Sequence, residues 1–340
     1  MSDLPEFPAI IAPDAARRER ATTRRAELPA GYALPAGRLG RLEQLGAWMA
    51  ACSGRPSGES PGNTSSANST RLIIVTGEHG IAAAHPEIST LPAEFSSQVT
   101  EAIESGASPV ASTARSLNVD VKLVDTNSSV PSGEIDHEDA MTAAQLAENL
   151  QKGMDLADAE ADQGTQLLAV GDAARGLTTV AATVIGSLCG IEPVKVVGWG
   201  SGIGDMAWRT KTAIIRDAMY RVRDDRADAL QVLRRVGGAD LAVLTGLLAQ
   251  AAVRRTPVLI DGVGVLAAAL CAQMIAPGSS DWWVVASKGN EPAITPALRA
   301  LRLSPVLDAG ISAGQGTGAL LAVSLVRYAA EVFSLSLIHI

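Results

Sequence analysis

Between Arg71 and Gly310 the chain alternates between two hydrophobic patterns. Short runs of nearly continuous Val, Ile and Leu appear at "RLIIVT" (71–76), "VDVKLVD" (119–125), "QLLAVGD" (166–172), "VKVVGWG" (194–200), "PVLIDG" (257–262), "WWVVAS" (282–287) and "PVLDAG" (305–310). Longer Ala- and Leu-rich segments with helical spacing separate them. A strand that is apolar at consecutive positions is buried on both faces, and helical crossovers between such strands build a parallel sheet. The pattern predicts seven strands in an α/β fold, with a doubly wound, mostly parallel sheet and flanking helices. Upstream, residues 1–52 are predicted to be helical, with Leu42, Leu45, Trp48 and Met49 at helical spacing as packing residues.

Composition divides the chain further. Residues 53–70, "SGRPSGESPGNTSSANST", have almost nothing apolar to bury and are expected to form a flexible linker or long surface loop before an α/β domain at 71–334. The last residues, "LSLIHI" at 335–340, look like a translated sequencing adapter and are treated as a candidate non-native tail. With 340 residues, 47% hydrophobic and 19% charged, the chain can bury a large core. The longest apolar stretch, "GVGVLAAALCAQMIAPG" after Asp261, is too short to span a bilayer comfortably and is predicted to be a buried helix, so no membrane partner is expected.

Charge and cysteine usage narrow the function classes. A formal net charge of −8 argues against a nucleic-acid surface, and the one dense basic run, Arg17 to Arg25, is expected to be a solvated helix face. Cys52, Cys189 and Cys271 are far apart with no CxxC, which suits a reducing compartment and suggests neither a zinc cluster nor a disulfide framework. The N-terminus lacks the basic-then-apolar order of a signal peptide, so a cytoplasmic location is expected.

Chemistry is expected beyond the carboxyl ends of the strands, where ligands bind in open parallel sheets. Glycine and polar residues recur there in "VTGEHG", "VGDAARGLTT", "VGWGSGIGD" and "LDAGISAGQGTGALL". None is a G-x-G-x-x-G or P-loop motif, because Ile203 stands where the first pattern needs glycine and no Walker lysine follows. Thr178 and Thr179 at the start of a helix suit either an anion at the positive end of the dipole or simple capping. His79 and His85, near Glu78 and Glu87, match no ligand spacing and are taken as ordinary loop residues; His137 is expected to be exposed. No G-x-S-x-G elbow suggests a serine nucleophile.

Taken together and in order, these segments resemble the nicotinate-nucleotide:dimethylbenzimidazole phosphoribosyltransferases of cobalamin lower-ligand assembly. The resemblance runs through "LPAGRLGRLEQLGAWMA" (34–50), "GEHGIA" (77–82), "VVGWGSGIGDMAWRTKTAIIRDAMYRVR" (196–223), "VGGADLAVLTGLLAQAAVRRTPVLIDG" (236–262), "NEPA" (290–293), "LDAGISAGQGTGA" (307–319) and "VRYAAEVF" (326–333). It implies that residues 1–52 belong to a smaller helical domain, completed by parts of the C-terminal half, and that the protein is a homodimer. The reaction it implies moves the 5-phosphoribosyl group from nicotinate mononucleotide to a benzimidazole-type base, giving α-ribazole 5′-phosphate and nicotinate, with no cofactor and no metal.

Site residues follow from the same resemblance. The nucleotide would meet Gly171, Arg175, Gly176, Thr178, Thr179, Gly200, Ser201, Gly202, Lys211, Glu291, Gly314, Gly316, Thr317 and Gly318. The aromatic base would lie near Ser89, Leu91, Gln98 and Ala313. In the family a glutamate within G-E-G-T-G takes the benzimidazole proton; here Gln315 occupies that place, and an amide cannot act as a base. Asp172 is the remaining candidate for an acid or base role. The family's phosphate-loop Asn is also absent, with Arg175 close by, Leu91 replaces an aromatic residue, and Lys288 replaces an arginine. These departures leave open a second reading, a catalytically impaired paralogue that binds a nucleotide or aromatic base in a regulatory role.

Overall fold

The computed structural model describes residues 5–27, 37–53, 69–126 and 130–334. Most of the expected linker and the 335–340 tail lie outside these residues. In chain order the elements are α1 (Ala15–Glu27), α2 (Arg41–Cys52), β1 (Thr70–Glu78), α3 (Gly80–Ala84), α4 (Phe95–Glu104), α5 (Pro109–Ser116), β2 (Asp120–Asp125), α6 (Ala143–Asp162), β3 (Leu167–Arg175), α7 (Leu177–Cys189), α8 (Pro193–Val196), α9 (Asp205–Arg221), α10 (Ala229–Val236), α11 (Ala239–Val253), β4 (Val258–Ile260), α12 (Val263–Ile275), β5 (Trp283–Ser287), α13 (Ile294–Leu301), β6 (Pro305–Leu307) and α14 (Thr317–Ser334).

All the strands pair in parallel, in the order β2-β1-β3-β4-β5-β6. The chain runs outward from β1 to β2 and then crosses back to β3, so helices cover both faces, as the continuous apolar runs require. Leu72, Ile73, Ile74 and Val75 of β1 and Leu168, Ala169 and Val170 of β3 have no exposed surface. The expected buried helix after Asp261 is α12, whose residues are buried from Val263 to Ala272.

The strand expected at 194–200 does not form. Pro193 opens the single helical turn α8, and residues 197–204 continue as an irregular loop. Proline at the first helical position forfeits no hydrogen bond, and packing Val196 against Gly186 of α7 consumes the β-branched side chain that mimicked a strand signal. A second correction concerns the basic run: Arg25 is buried, pairs with Glu43 at 2.7 Å and stacks on Phe333, while its neighbours on α1 are mostly solvated.

The N-terminal helices are anchored to the α/β body. Trp48 Nε1 donates to the Asp281 carbonyl at 3.0 Å, and Trp282 Nε1 donates to the Ile11 carbonyl at 2.9 Å. Gly46 of α2 lies against Phe333 and Ala329 of α14. Among the described residues, no helix is long and apolar enough to cross a membrane.

Candidate active site

A cavity of about 330 Å3 opens where the carboxyl ends of β3, β4, β5 and β6 converge. One wall is apolar, formed by Leu91, Phe95, Leu177, Val263, Ile294 and Ile311. The lining also includes the polar residues Thr178, Ser201, Asn290, Ser312 and Gln315, with Asp172 and Asp261. An apolar slot with a few polar groups suits a flat aromatic ring joined to a hydrophilic group.

Two buried aspartates hold the loops in place by capping helices that belong to other crossovers. Asp172, within β3, accepts hydrogen bonds from the backbone N–H groups of Gly264 and Val265 at the start of α12, the second at 2.9 Å. Asp261, after β4, accepts from Ser287 Oγ at 2.5 Å and from Gly318 N at 2.8 Å, at the start of α14. A carboxylate at a helix N-terminus is favoured by the dipole. At Asp172 burial outweighs those donors and, with the nearby Asp261 and Asp240 carboxylates, pushes its pKa up to about 7. Burial also raises the pKa of Asp261, against the pull of Ser287 and Gly318.

The glycine loop before α14 fits against β3 because two residues lack side chains. A Cβ on Gly171 would stand 2.1 Å from the backbone nitrogen of Gly316, so neither strand nor loop tolerates bulk there. Gln315 N donates to the Asp172 carbonyl at 2.9 Å, and Gln315 adopts a left-handed φ of 55°. Thr317 Oγ1 donates to the Gly314 carbonyl at 2.8 Å and closes the turn. Gln315 and Asp172 thus meet at one end of the cavity.

A second polar cluster forms around Lys211, which is fully buried on α9. Its Nζ donates to Thr178 Oγ1 at 2.8 Å; burial lowers its proton affinity, and Glu291 opposes that shift. Glu291 Oε1 accepts from Gly200 N at 2.9 Å, while its Oε2 is buried without a hydrogen-bond partner. Ser201 is tied to the opposite loop, with Thr90 N donating to its Oγ at 2.8 Å and Ser89 Oγ at 3.4 Å from the same atom.

The structure therefore brings Leu91, Asp172, Thr178, Gly200, Ser201, Glu291, Ala313, Gly314 and Gln315 to one cavity lining. Gly171, Gly316, Thr317, Gly318 and Lys211 support that lining from behind through the contacts above, and Ser89 does so through Ser201. Gly176 supplies the left-handed turn that ends β3 and starts α7, and Thr179 is fully buried in the first turn of α7. Gly202 turns the 199–203 loop at a positive φ. Gln98 and Arg175 neither line the cavity nor take part in the contacts that support it. Gln98 is exposed on α4, and Arg175 ends β3 with Nη2 3.5 Å from the Pro86 carbonyl.

Sequence reasoning missed Asp261, Ser287, Phe95 and Asn290 as site residues. It also misplaced His79, which is not an ordinary loop residue: it is 2% exposed, with Nε2 3.1 Å from Asp240 Oδ2. Burial works against its charge, but the Asp240 carboxylate holds its pKa above the usual histidine value. The signal available was Asp240 in "VGGADL", a charged residue entering an otherwise apolar helix.

Comparison with known proteins agrees with this architecture. A family model described as phosphoribosyltransferase matches residues 10–336. The chain is similar to the nicotinate-nucleotide–dimethylbenzimidazole phosphoribosyltransferase of Corynebacterium glutamicum (strain ATCC 13032), 41% identical over 314 residues that cover 88% of this chain and 84% of that protein. The enzyme of the same name from Mycobacterium avium (strain 104) is 39% identical over 343 residues, covering 97% and 95% of the two chains. A crystal structure of a phosphoribosyltransferase with this name from Thermus thermophilus superposes with a TM-score of 0.82 at 28% identity, covering 95% of this chain and 97% of that one.

Proposed function

The chain belongs to the nicotinate-nucleotide–dimethylbenzimidazole phosphoribosyltransferase family, and from that premise we propose that its cavity moves 5-phosphoribose from nicotinate mononucleotide to 5,6-dimethylbenzimidazole, with Asp172 taking the proton. The bond between ribose C1′ and the nicotinate nitrogen breaks, and its electron pair leaves on nicotinate. A benzimidazole nitrogen attacks C1′ from the opposite face, giving α-ribazole 5′-phosphate. The N–H proton of the second benzimidazole nitrogen must pass to a base.

Asp172 carries this reading. Asp172 is a lining residue whose buried carboxyl has a proton affinity poised near neutrality, and its backbone carbonyl accepts from the backbone N–H of Gln315. A general base works best when its pKa is near the operating pH. Gln315 then orients the base through its side-chain oxygen, while the proton goes to a carboxylate. The slot between Leu91, Phe95 and Ile311 takes the aromatic ring. Thr178, Lys211 and the turn at Gly200–Gly202 hold the phosphate and ribose, combining a cation, a hydroxyl and backbone donors that suit a phosphate dianion.

The smaller unit is inferred to consist of α1, α2 and the part of α14 they contact. A cytoplasmic homodimer is the assembly we favour. Val194, Trp199 and Met206, on the α8–α9 segment that also carries Gly200 and Ser201, leave 55%, 53% and 74% of their surfaces exposed, and such exposed apolar side chains suit contact with a second copy.

The test is chromatographic detection of nicotinate and α-ribazole 5′-phosphate from nicotinate mononucleotide and dimethylbenzimidazole, using the native protein, Gln315→Glu and Asp172→Asn. Native activity that Gln315→Glu raises and Asp172→Asn abolishes is the expected result. Native turnover that Asp172→Asn leaves intact overturns the role of Asp172, and absence of product from both native and Gln315→Glu proteins overturns the transferase reading.

A further inference from the structure

Away from the cavity, the loop between β2 and α6 carries Glu134, Asp136 and His137, which offer one ligand atom each, all within 4.8 Å of one another. The Asp136 side chain is only 7% exposed, and its Oδ1 has no hydrogen-bond partner. Its Oδ2 lies 3.5 Å from His137 Nε2 and 3.7 Å from His85 Nε2. Those separations are longer than a normal N–H···O bond of ~2.7–3.2 Å. The His137 separation resembles instead the spacing of donors around one ion, because tetrahedral ligands at ~2.1 Å from a zinc ion stand ~3.4 Å apart.

A buried carboxylate oxygen without a donor is costly, and a cation held by Asp136 and His137 offsets that cost. His85, whose Nδ1 lies 3.8 Å from Glu87 Oε1, approaches Asp136 from the end of α3 and stands outside the three-residue group. The surroundings add negative charge: Asp217 on α9 interacts electrostatically with His137.

The loop is held in shape before any ion arrives. Arg221 Nη1 donates to the carbonyls of Ile135 at 2.6 Å and Glu138 at 2.7 Å. Asp139 pairs with Arg221, Arg234 and Arg235, and the backbone N–H of Gly133 donates to the Ala140 carbonyl. Such support fixes ligand-bearing residues at little further entropic cost.

We propose that Glu134, Asp136 and His137 bind one divalent ion of the zinc type on the 130–141 loop, beside His85. Mixed imidazole and carboxylate donors suit Zn2+ and its neighbours, whereas Mg2+ and Ca2+ favour all-oxygen sites. The site stands apart from the substrate cavity and does not depend on the transferase reading.

The experiment titrates metal-free, full-length protein with Zn2+ by calorimetry and with Co2+ by visible absorption. One ion per chain is expected, with the intense d–d bands of four-coordinate Co2+ and no competition from excess Mg2+. Asp136→Asn and His137→Ala should each lose about hundredfold in affinity. His137 is exposed, so its variant keeps the fold; circular dichroism and the melting transition without metal confirm this for each protein. Absence of Zn2+ binding overturns the proposal, as does binding of equal affinity in the native, Asp136→Asn and His137→Ala proteins.

Discussion

Replacing Asp172 with Asn tests the proton transfer and the electrostatics that enable it in one protein. The carboxyl ordinarily titrates at 3.8 and is held at about 7 by burial and by its acidic neighbours. At 1.36 kcal/mol per pH unit, that difference corresponds to ~4 kcal/mol by which the folded chain favours the protonated group. The folded pKa is raised, so this contribution is fully present below 3.8 and is lost as pH rises through about 7. Asp172→Asn has no such slope, and its stability relative to the native chain should rise by as much as ~4 kcal/mol between acid and mildly alkaline pH. Thermal unfolding of both proteins across that range reads the difference. In the transferase assay the native kcat/KM should climb with pH to a midpoint near 7 as Asp172 ionises, and Asp172→Asn should lose both that limb and ~10²–10⁴ of the rate. A limb with the same midpoint in Asp172→Asn, or a stability difference that does not change with pH, would refute the reasoning.

Removing Asp240 should act on two titrations together. Asp240→Asn takes away the carboxylate that keeps His79 charged. The pair's stability is present below the ordinary histidine value and fades as pH rises through the raised one, so the variant's thermal deficit should be largest in acid. Asp240 also raises the Asp172 pKa, so the kcat/KM limb should move to lower pH in the same variant. Lys211→Met removes the donor to Thr178 and should raise KM for nicotinate mononucleotide by ~10–100-fold while changing kcat little, as steady-state kinetics will show. Gly171→Ala places a methyl group 2.1 Å from backbone at Gly316, so denaturation should reveal a loss of ~1–3 kcal/mol and the assay a displaced glycine loop.

Much of this site was legible in one dimension because its parts are strand ends. Glycine and threonine cluster wherever an apolar run stops, and those stops line up once parallel strands are laid side by side. Asp172 and Gln315 acquired their roles only through the family resemblance, which fixed their places within those loops. Asp261 and Ser287 could not be singled out, because their importance lies in a hydrogen bond between residues 26 apart and in a helix cap reached from 57 residues away. The cluster of His85 with Asp136 and His137 was hidden for the same reason: the imidazoles converge only after β1 and the loop beyond β2 are brought together.

What the sequence determined by itself was the local part of the problem. Continuous Val, Ile and Leu at 71–76 or 166–172 require burial on both faces, and the Ala-rich run after Asp261 requires a helix, whatever the rest of the chain does. Tertiary structure decided everything that depends on surroundings. It turned "VKVV" after Pro193 into a helical turn, because packing on α7 outweighed a local β preference. It also set the proton affinity of Asp172, since a carboxyl's pKa depends on how much water and which charges surround it, and residues far along the chain supply both.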